Sequence, residues 1–224
     1  MKHKLIKQCW QDGKPFRFMD SGYLGNRPYD KNPRGWKIWH RIVDNDLQHD
    51  QIIKRPADRL ERLKLPVRPY RNKGTRVLVV APDEKPCVFY GIDQAQWLKD
   101  TVAEIKRYTD RPIVVRSRAA DPDSRTRNPG TSFAAQLEDD VFCTVVFNSV
   151  AATESIVAGI ACFVTCECNA ARPVSNVDLS NLDKPWFPDN DLRHEWLCHL
   201  AYGQFHNDEL ENGAALRILD KGLE

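Results

Sequence analysis

The amino-acid sequence predicts an α/β fold in which a parallel sheet carries helices on both faces, preceded by an irregular basic segment. Three observations carry this expectation. From Arg76 onward, short β-branched runs alternate with helix-type stretches, the rhythm of repeated strand–helix–strand units. The strand-type runs are apolar throughout rather than alternating, as in strands covered on both faces. The charge also divides: residues 1–76 hold 19 Lys and Arg against 8 Asp and Glu, while residues 77–224 hold 14 against 23, behind a net charge of +2.

The first strand is Val77-Leu78-Val79-Val80, closed by Pro82. Asp93 is a good N-cap for a helix reaching about residue 109, because Leu98, Val102 and Ile105 recur at helical spacing and form one buried stripe. Pro112 opens the second strand, Ile113-Val114-Val115. A loop rich in turn formers follows (121–130), then a short helix at 133–137 and a strand at 141–147. A helix over 151–158 leads into the strand Cys162-Phe163-Val164, and two terminal helices are expected at 191–204 and 208–219. Before Arg76 the signals are weaker. Residues 4–11 read as a helix, 15–19 and 36–43 as strands, 20–35 as turns, and 57–63 as a short basic helix. The expected organisation is a Rossmann-like domain over 76–224 with a basic segment over 1–75.

At 224 residues and 42% hydrophobic composition the chain can bury a sizeable core but is short for two full domains. No run approaches the roughly 18 apolar residues that span a bilayer. Lys2, Lys4 and Lys7 are followed by no apolar stretch or cleavage site, so neither export nor anchoring is expected. The 7 cysteines are odd in number and scattered, and Cys143 and Cys162 lie inside apolar strands. A reducing cytoplasm is therefore expected.

In doubly wound sheets ligands bind beyond the carboxyl ends of the strands. There, Phe147-Asn148-Ser149-Val150-Ala151-Ala152-Thr153-Glu154 passes from a strand through a polar pair into a helix of small residues. Free N–H groups around Val150 to Ala152 are expected to cradle a phosphate, with Glu154 accepting from a sugar diol. The plainer alternative is a capped helix start with an acid complementing its dipole. Arg116, with Ser117, leaves the second strand into the same crevice, either to clamp a diphosphate or as a surface arginine. Asp20 ends a strand and precedes Gly22 and Gly25, the setting of a catalytic base or of an Asx-type turn. Arg27, Arg34, Lys37, His40 and Arg41 interleave with Tyr23, Tyr29, Trp36 and Trp39. Such a mixture either binds phosphates and stacks bases or forms a small core. The D-x-D at Asp121 and Asp123 recurs at 44/46 and 189/191, so composition alone accounts for it and no metal is expected. Cys166, Cys168, His194, Cys198 and His199 lack the paired spacing of structural zinc sites.

The run VVFNSVAATESIVAGIACFVT resembles the donor-site signature of GT-B-type glycosyltransferases, matching its cadence at Asn148, Ser149, Glu154 and Gly159. Together with DSGYLGNRPY, LVVAP, VVRSR and LAYGQFHNDELENGAALRIL it is similar to small glycosyltransferase-like proteins encoded by bacteriophages, over nearly the whole chain. The resemblance implies a GT-B donor-type domain that binds a nucleotide sugar through Arg116, Ser149 and Glu154, with Asn148, Val150 and Thr153 in the same motif. A phage setting points to transfer onto hydroxylated bases of phage DNA in the host cytoplasm. The basic segment points the same way, since a polyanion suits it; the alternative is contact with the acidic half. The sequence departs from the family in that only about 75 residues precede the donor-type part, where a GT-B enzyme has a complete acceptor domain. An open cleft side and exposed tryptophans would then favour a homodimer. Two other functions stay open: a non-catalytic nucleotide or modified-DNA binding module, and a transferase with a protein or glycan acceptor.

Overall fold

The structure, a computed structural model, describes residues 2–26, 38–116 and 133–220. The chain opens with α1 (Lys2–Gln11), β1 (Arg17–Ser21), β2 (Trp39–Asp44) and α2 (Asp58–Leu63). It then builds β3 (Arg76–Val80), α3 (Glu84–Tyr90), α4 (Gln94–Ile105), β4 (Ile113–Arg116), α5 (Phe133–Glu138), β5 (Val141–Val146), α6 (Ala151–Val157) and β6 (Ala161–Val164). Strands β3 to β6 form one parallel sheet in the order β4-β3-β5-β6, flanked by helices, in keeping with a Rossmann-like fold. Asp93 caps α4 as expected, its side chain accepting from Gln96 N–H.

The continuous apolar runs of β3, β5 and β6 are explained by cores on both faces of the sheet; the edge strand β4 departs from the expectation, with Val114 37% and Val115 43% exposed. Val77, Val79, Val145 and Phe163 turn to one face, against Ile105 of α4 and Leu182. Leu78, Val80, Val146 and Val164 turn to the other, against Ile156 of α6 and against Trp196 and Leu200 of α7 (Asn190–Tyr202). Trp196 is 0% exposed and donates from Nε1 to Ala170 O at 2.6 Å. Burial of that kind is worth about 3–5 kcal/mol against truncation to alanine.

The largest departure from expectation lies at the carboxyl end. The helix expected to reach Gln204 stops at Tyr202, and β7 (Gln204–His206) pairs antiparallel with β2, completing a second sheet of order β1-β2-β7. A three-residue strand made by a contact some 165 positions away, Trp39 to His206, has no local signature. The last expected helix is two, α8 (Asn207–Glu211) and α9 (Ala214–Asp220), broken where Gly213 takes φ +73. Helix α3 was not foreseen. It is short and carries Pro86, which a first turn tolerates but which weakens the local helix signal.

The boundary near residue 76 marks a change of charge, not a break in packing. Besides the β2–β7 pairing, α1 packs on α3 and α2 on α7. Residues 68–71 ride on the sheet, with Arg68 N–H donating to Val157 O and Arg71 N–H to Gly159 O. Part of the opposite charge is also met within the molecule: Arg17 pairs with Asp220 at 2.8 Å, Arg59 with Glu209 at 2.6 Å, Arg76 with Asp139 at 3.0 Å, and Arg68 with Glu138. Burial pushes the Glu209 carboxyl up, but hydrogen bonds from Arg59 and the His206 backbone outweigh it and hold the carboxyl below its ordinary value. Among the described residues no helix is long and apolar enough to cross a membrane.

Candidate functional site

The order β4-β3-β5 means that the chain leaves β3 toward one side and returns on the other. The switch point, where a doubly wound sheet opens a crevice, therefore lies at the carboxyl ends of β3 and β5. A cleft of about 240 Å³ occupies that position. One wall is Val80 ending β3 and Ala81 after it, Arg116 ending β4, and Asn148, Ser149, Val150, Ala151 and Glu154 after β5. The facing wall comes from the N-terminal sheet: Phe18, Asp20, Ser21, Gly22 and Tyr23, with Arg41 from β2 and Lys85 from α3.

The fold thus brings Asp20, Arg41, Arg116, Asn148, Ser149, Val150 and Glu154 into one cleft. Thr153 is not in its lining; it is 1% exposed and packed beneath, its Oγ1 without a hydrogen-bond partner among the described residues. His40 lies on β2 opposite Phe205, outside the lining. Arg27, Arg34, Lys37 and Ser117 lie outside the described residues, as do Tyr29, Trp36, Asp121 and Asp123. Trp39 finds its cover within the chain, its ring 5.1 Å from that of His206.

The expected phosphate cradle needs correction. Ala151 N–H donates to Ser149 Oγ at 3.2 Å and Ala152 N–H to Ser149 O at 3.1 Å, so these two donors are engaged in starting α6. Asn148 is likewise a bracket. Its Oδ1 accepts from Gln48 Nε2 at 2.7 Å and its Nδ2 donates to Cys168 O, tying β5 to two distant loops. Positive charge in the cleft comes from side chains instead. Arg116 is half-buried, donates to Gln136 Oε1 at 2.5 Å, and sits 5.6 Å from the Phe133 ring centre. Burial lowers its pKa, and the charge of Glu154 opposes that shift.

Arg41, grouped with the surface cations on charge alone, is 6% exposed and points inward. Its Nε donates to Leu47 O at 3.0 Å and its Nη1 to Ser21 O at 2.6 Å, and its guanidinium lies 5.3 Å from the Tyr23 ring centre. Asp20 accepts from Ser21 N–H at 2.8 Å through Oδ1, while Oδ2 stands 3.5 Å from Arg41 Nη2 and 3.9 Å from Lys85 Nζ. The two glycines after Asp20 have separate reasons. A Cβ on Gly22 would lie 2.9 Å from Trp39 Cβ, and Gly25 takes φ +81.

Sequence reasoning missed the amides that hold this wall. Gln204, 0% exposed, accepts from Leu24 N–H at 2.9 Å and donates to Leu24 O at 3.0 Å. Asn26 Oδ1 accepts from both Ile38 and Trp39 N–H, and Gln48 Oε1 from Ala170 N–H. No pattern of residue types announces a buried glutamine whose partner is 180 positions away. Compared with known proteins, the chain matches no family model, and no curated protein matches it in sequence. The cleft must therefore be read from its own chemistry.

Proposed function

We propose that this chain is a glycosyltransferase of GT-B donor-domain type, acting in the cytoplasm, that moves a sugar from a nucleotide-sugar donor to a hydroxyl, most favourably on a modified base of phage DNA. The observation that carries the reading is the convergence of Arg116, Ser149 and Glu154 with Asp20 across one cleft at the switch point of the sheet. In this reading the acceptor oxygen attacks the anomeric carbon, its proton passes to Asp20, and the bond to the diphosphate breaks. Arg116 stabilises the departing charge and Glu154 holds sugar hydroxyls. No metal is called for, so nucleoside diphosphate binding is expected to survive chelation.

Replacing Arg116 by alanine is expected to weaken a nucleoside diphosphate about tenfold or more while leaving the bare nucleoside nearly unchanged, the difference one charge-assisted contact makes. Calorimetry with both ligands checks this, and equal losses for the two would remove Arg116 from the phosphate. Incubation with hydroxymethylated DNA and a panel of nucleotide sugars, read by nucleoside mass spectrometry, tests the transfer itself.

The DNA acceptor has the weaker support, because Arg17, Arg59, Arg68 and Arg76 already pair with acids of the C-terminal part. If DNA binds through cations of the segment 27–41, log affinity falls with log salt by about 0.9 per phosphate contacted. Neutralising Arg27, Arg34 and Lys37 should flatten that slope, and Arg116→Ala should not. Undetectable binding at about 50 mM salt would favour a protein or glycan acceptor. A second reading is a nucleotide-binding module without catalysis, in which Asp20 serves as a counter-ion beside Arg41 and Lys85. Self-association as a homodimer is compatible with either reading.

A further inference from the structure

We propose that a second hollow, between α2 and α7, binds a small monocarboxylate with an aliphatic tail, and that Arg193 anchors the carboxylate. The hollow has a volume of about 370 Å³ and shares no lining residue with the cleft at the switch point of the sheet. Small-molecule pockets of roughly 300–1,000 Å³ combine apolar walls with a few polar groups, and this one does the same. Leu60 of α2, Leu65 and Val67 after it, and Leu197 of α7 form the apolar part, while Glu61, Lys64 and Arg193 bring charge. Val67 is 39% exposed, so apolar surface at the rim is left facing water.

Arg193 is the reason to expect an anion. It is 3% exposed, yet among the described residues no carboxylate pairs with it. Asp189, one turn earlier, gives its Oδ1 to the Leu192 N–H instead. Arg59 shows what a buried arginine of this chain otherwise has: at 8% exposure it holds Glu209 at 2.6 Å. Around Arg193 there are only dipoles and a ring. Nη2 donates to Arg68 O at 2.7 Å, Ile156 O at 2.8 Å and Val157 O at 3.1 Å, and the Tyr70 ring centre is 4.2 Å from the guanidinium carbon. Nε is buried without an acceptor, and Nη1 makes no hydrogen bond among the described residues. Burial lowers the Arg193 pKa, but a guanidinium keeps its charge in a protein all the same. Carbonyls solvate that charge without neutralising it, and a buried charge is costly unless paired. A ligand carboxylate meets the need through Nη1, with its tail against the three leucines and Val67. One negative charge suffices, because Glu61 and Lys64 offset each other in the same lining and leave the charge of Arg193 to be matched.

The test is calorimetric titration of the full chain with octanoate, set against 1-octanol, which lacks the charge, and acetate, which lacks the tail. Octanoate is expected to bind at one per chain and each control about tenfold or more weaker, since each forfeits one of the two contacts. At the exposed rim, Val67→Glu is expected to weaken octanoate about tenfold relative to Val67→Lys, which places the opposite charge there. Arg193→Gln, which keeps an amide donor for the carbonyls, is expected to remove octanoate binding at about 1 mM. Octanoate and 1-octanol binding alike would overturn the proposal, as would equal affinities in the two Val67 variants or no octanoate binding to the parent at about 1 mM. Full affinity in a folded Arg193→Gln also overturns it, since Arg193 would then serve only to cap carbonyls. Should Arg193→Gln fail to fold by circular dichroism, the 1-octanol comparison and the Val67 pair decide the matter without it.

Discussion

Gly159→Ala is expected to destabilise the fold by about 3–4 kcal/mol, seen as a lower denaturant midpoint at unchanged m-value. Gly159 follows α6 and enters β6 at φ +77, a conformation costing a side chain roughly 1–2 kcal/mol. The larger part is steric. A Cβ there would lie 2.1 Å from Pro69 O and 2.9 Å from Pro69 C, in the segment whose Arg71 N–H donates to Gly159 O. Relief means lifting residues 68–71 off the sheet and losing the Arg68 and Arg71 backbone bonds. Gly13 supplies the control: its φ is +64, but a Cβ there meets nothing within 4 Å, so Gly13→Ala should cost only about 1 kcal/mol. Equal losses at the two positions would mean that the contact with Pro69 contributes nothing.

Stability is expected to fall steeply as pH drops below 6.5, because two histidines are folded in as neutral rings. His49 and His199 meet edge to face at 5.5 Å, and His49 Nδ1 is 3.1 Å from Tyr23 Oη behind the cleft wall. Burial, then the charges of His199, Arg41 and Arg55, lowers the His49 pKa to about 3; burial and Arg55 lower that of His199 to about 4. Between pH 6.5 and these values the unfolded chain binds protons that the native state refuses. The stability is therefore complete above pH 6.5 and is lost as pH falls through about 4. At pH 4.5 the pair is expected to cost on the order of 3–5 kcal/mol, at up to 1.4 kcal/mol per pH unit for each ring. Denaturant titrations from pH 7.5 to 4.5 measure the slope. His199→Asn, which keeps an acceptor for Ile53 N–H without titrating, should reduce it by about one proton, and an unchanged slope would place the acid sensitivity elsewhere.

The sheet was legible because its information is local. Apolar runs of β-branched residues closed by Pro82 and opened by Pro112 place β3 and β4, Asp93 places the start of α4, and unalternating burial declares two covered faces. Parallel strands bring their carboxyl ends to one edge of the sheet, so the ends of β3, β4 and β5 could be searched for ligand-facing residues before the strand order was known. That is why Arg116, Ser149 and Glu154 were found. For the backbone of 151–152 the sequence left an anion cradle and a capped helix start both open, because a serine hydroxyl satisfying the next turn looks, in sequence, the same as an anion site awaiting its ligand.

What the sequence alone determined is the parallel α/β core, its two-faced burial and one wall of the cleft, because each follows from spacing within a dozen residues. What only the tertiary structure decided is the other wall. The direction of Arg41, the position of Asp20 beside Arg41 and Lys85, and the clamp of Gln204 on Leu24 depend on β2 meeting β7 and on segments far apart in the chain. The sequence left Arg41 either in a phosphate-binding group or in a small core; its guanidinium is buried, because carbonyl oxygens of Leu47 and Ser21 and the ring of Tyr23 replace the water that burial removes.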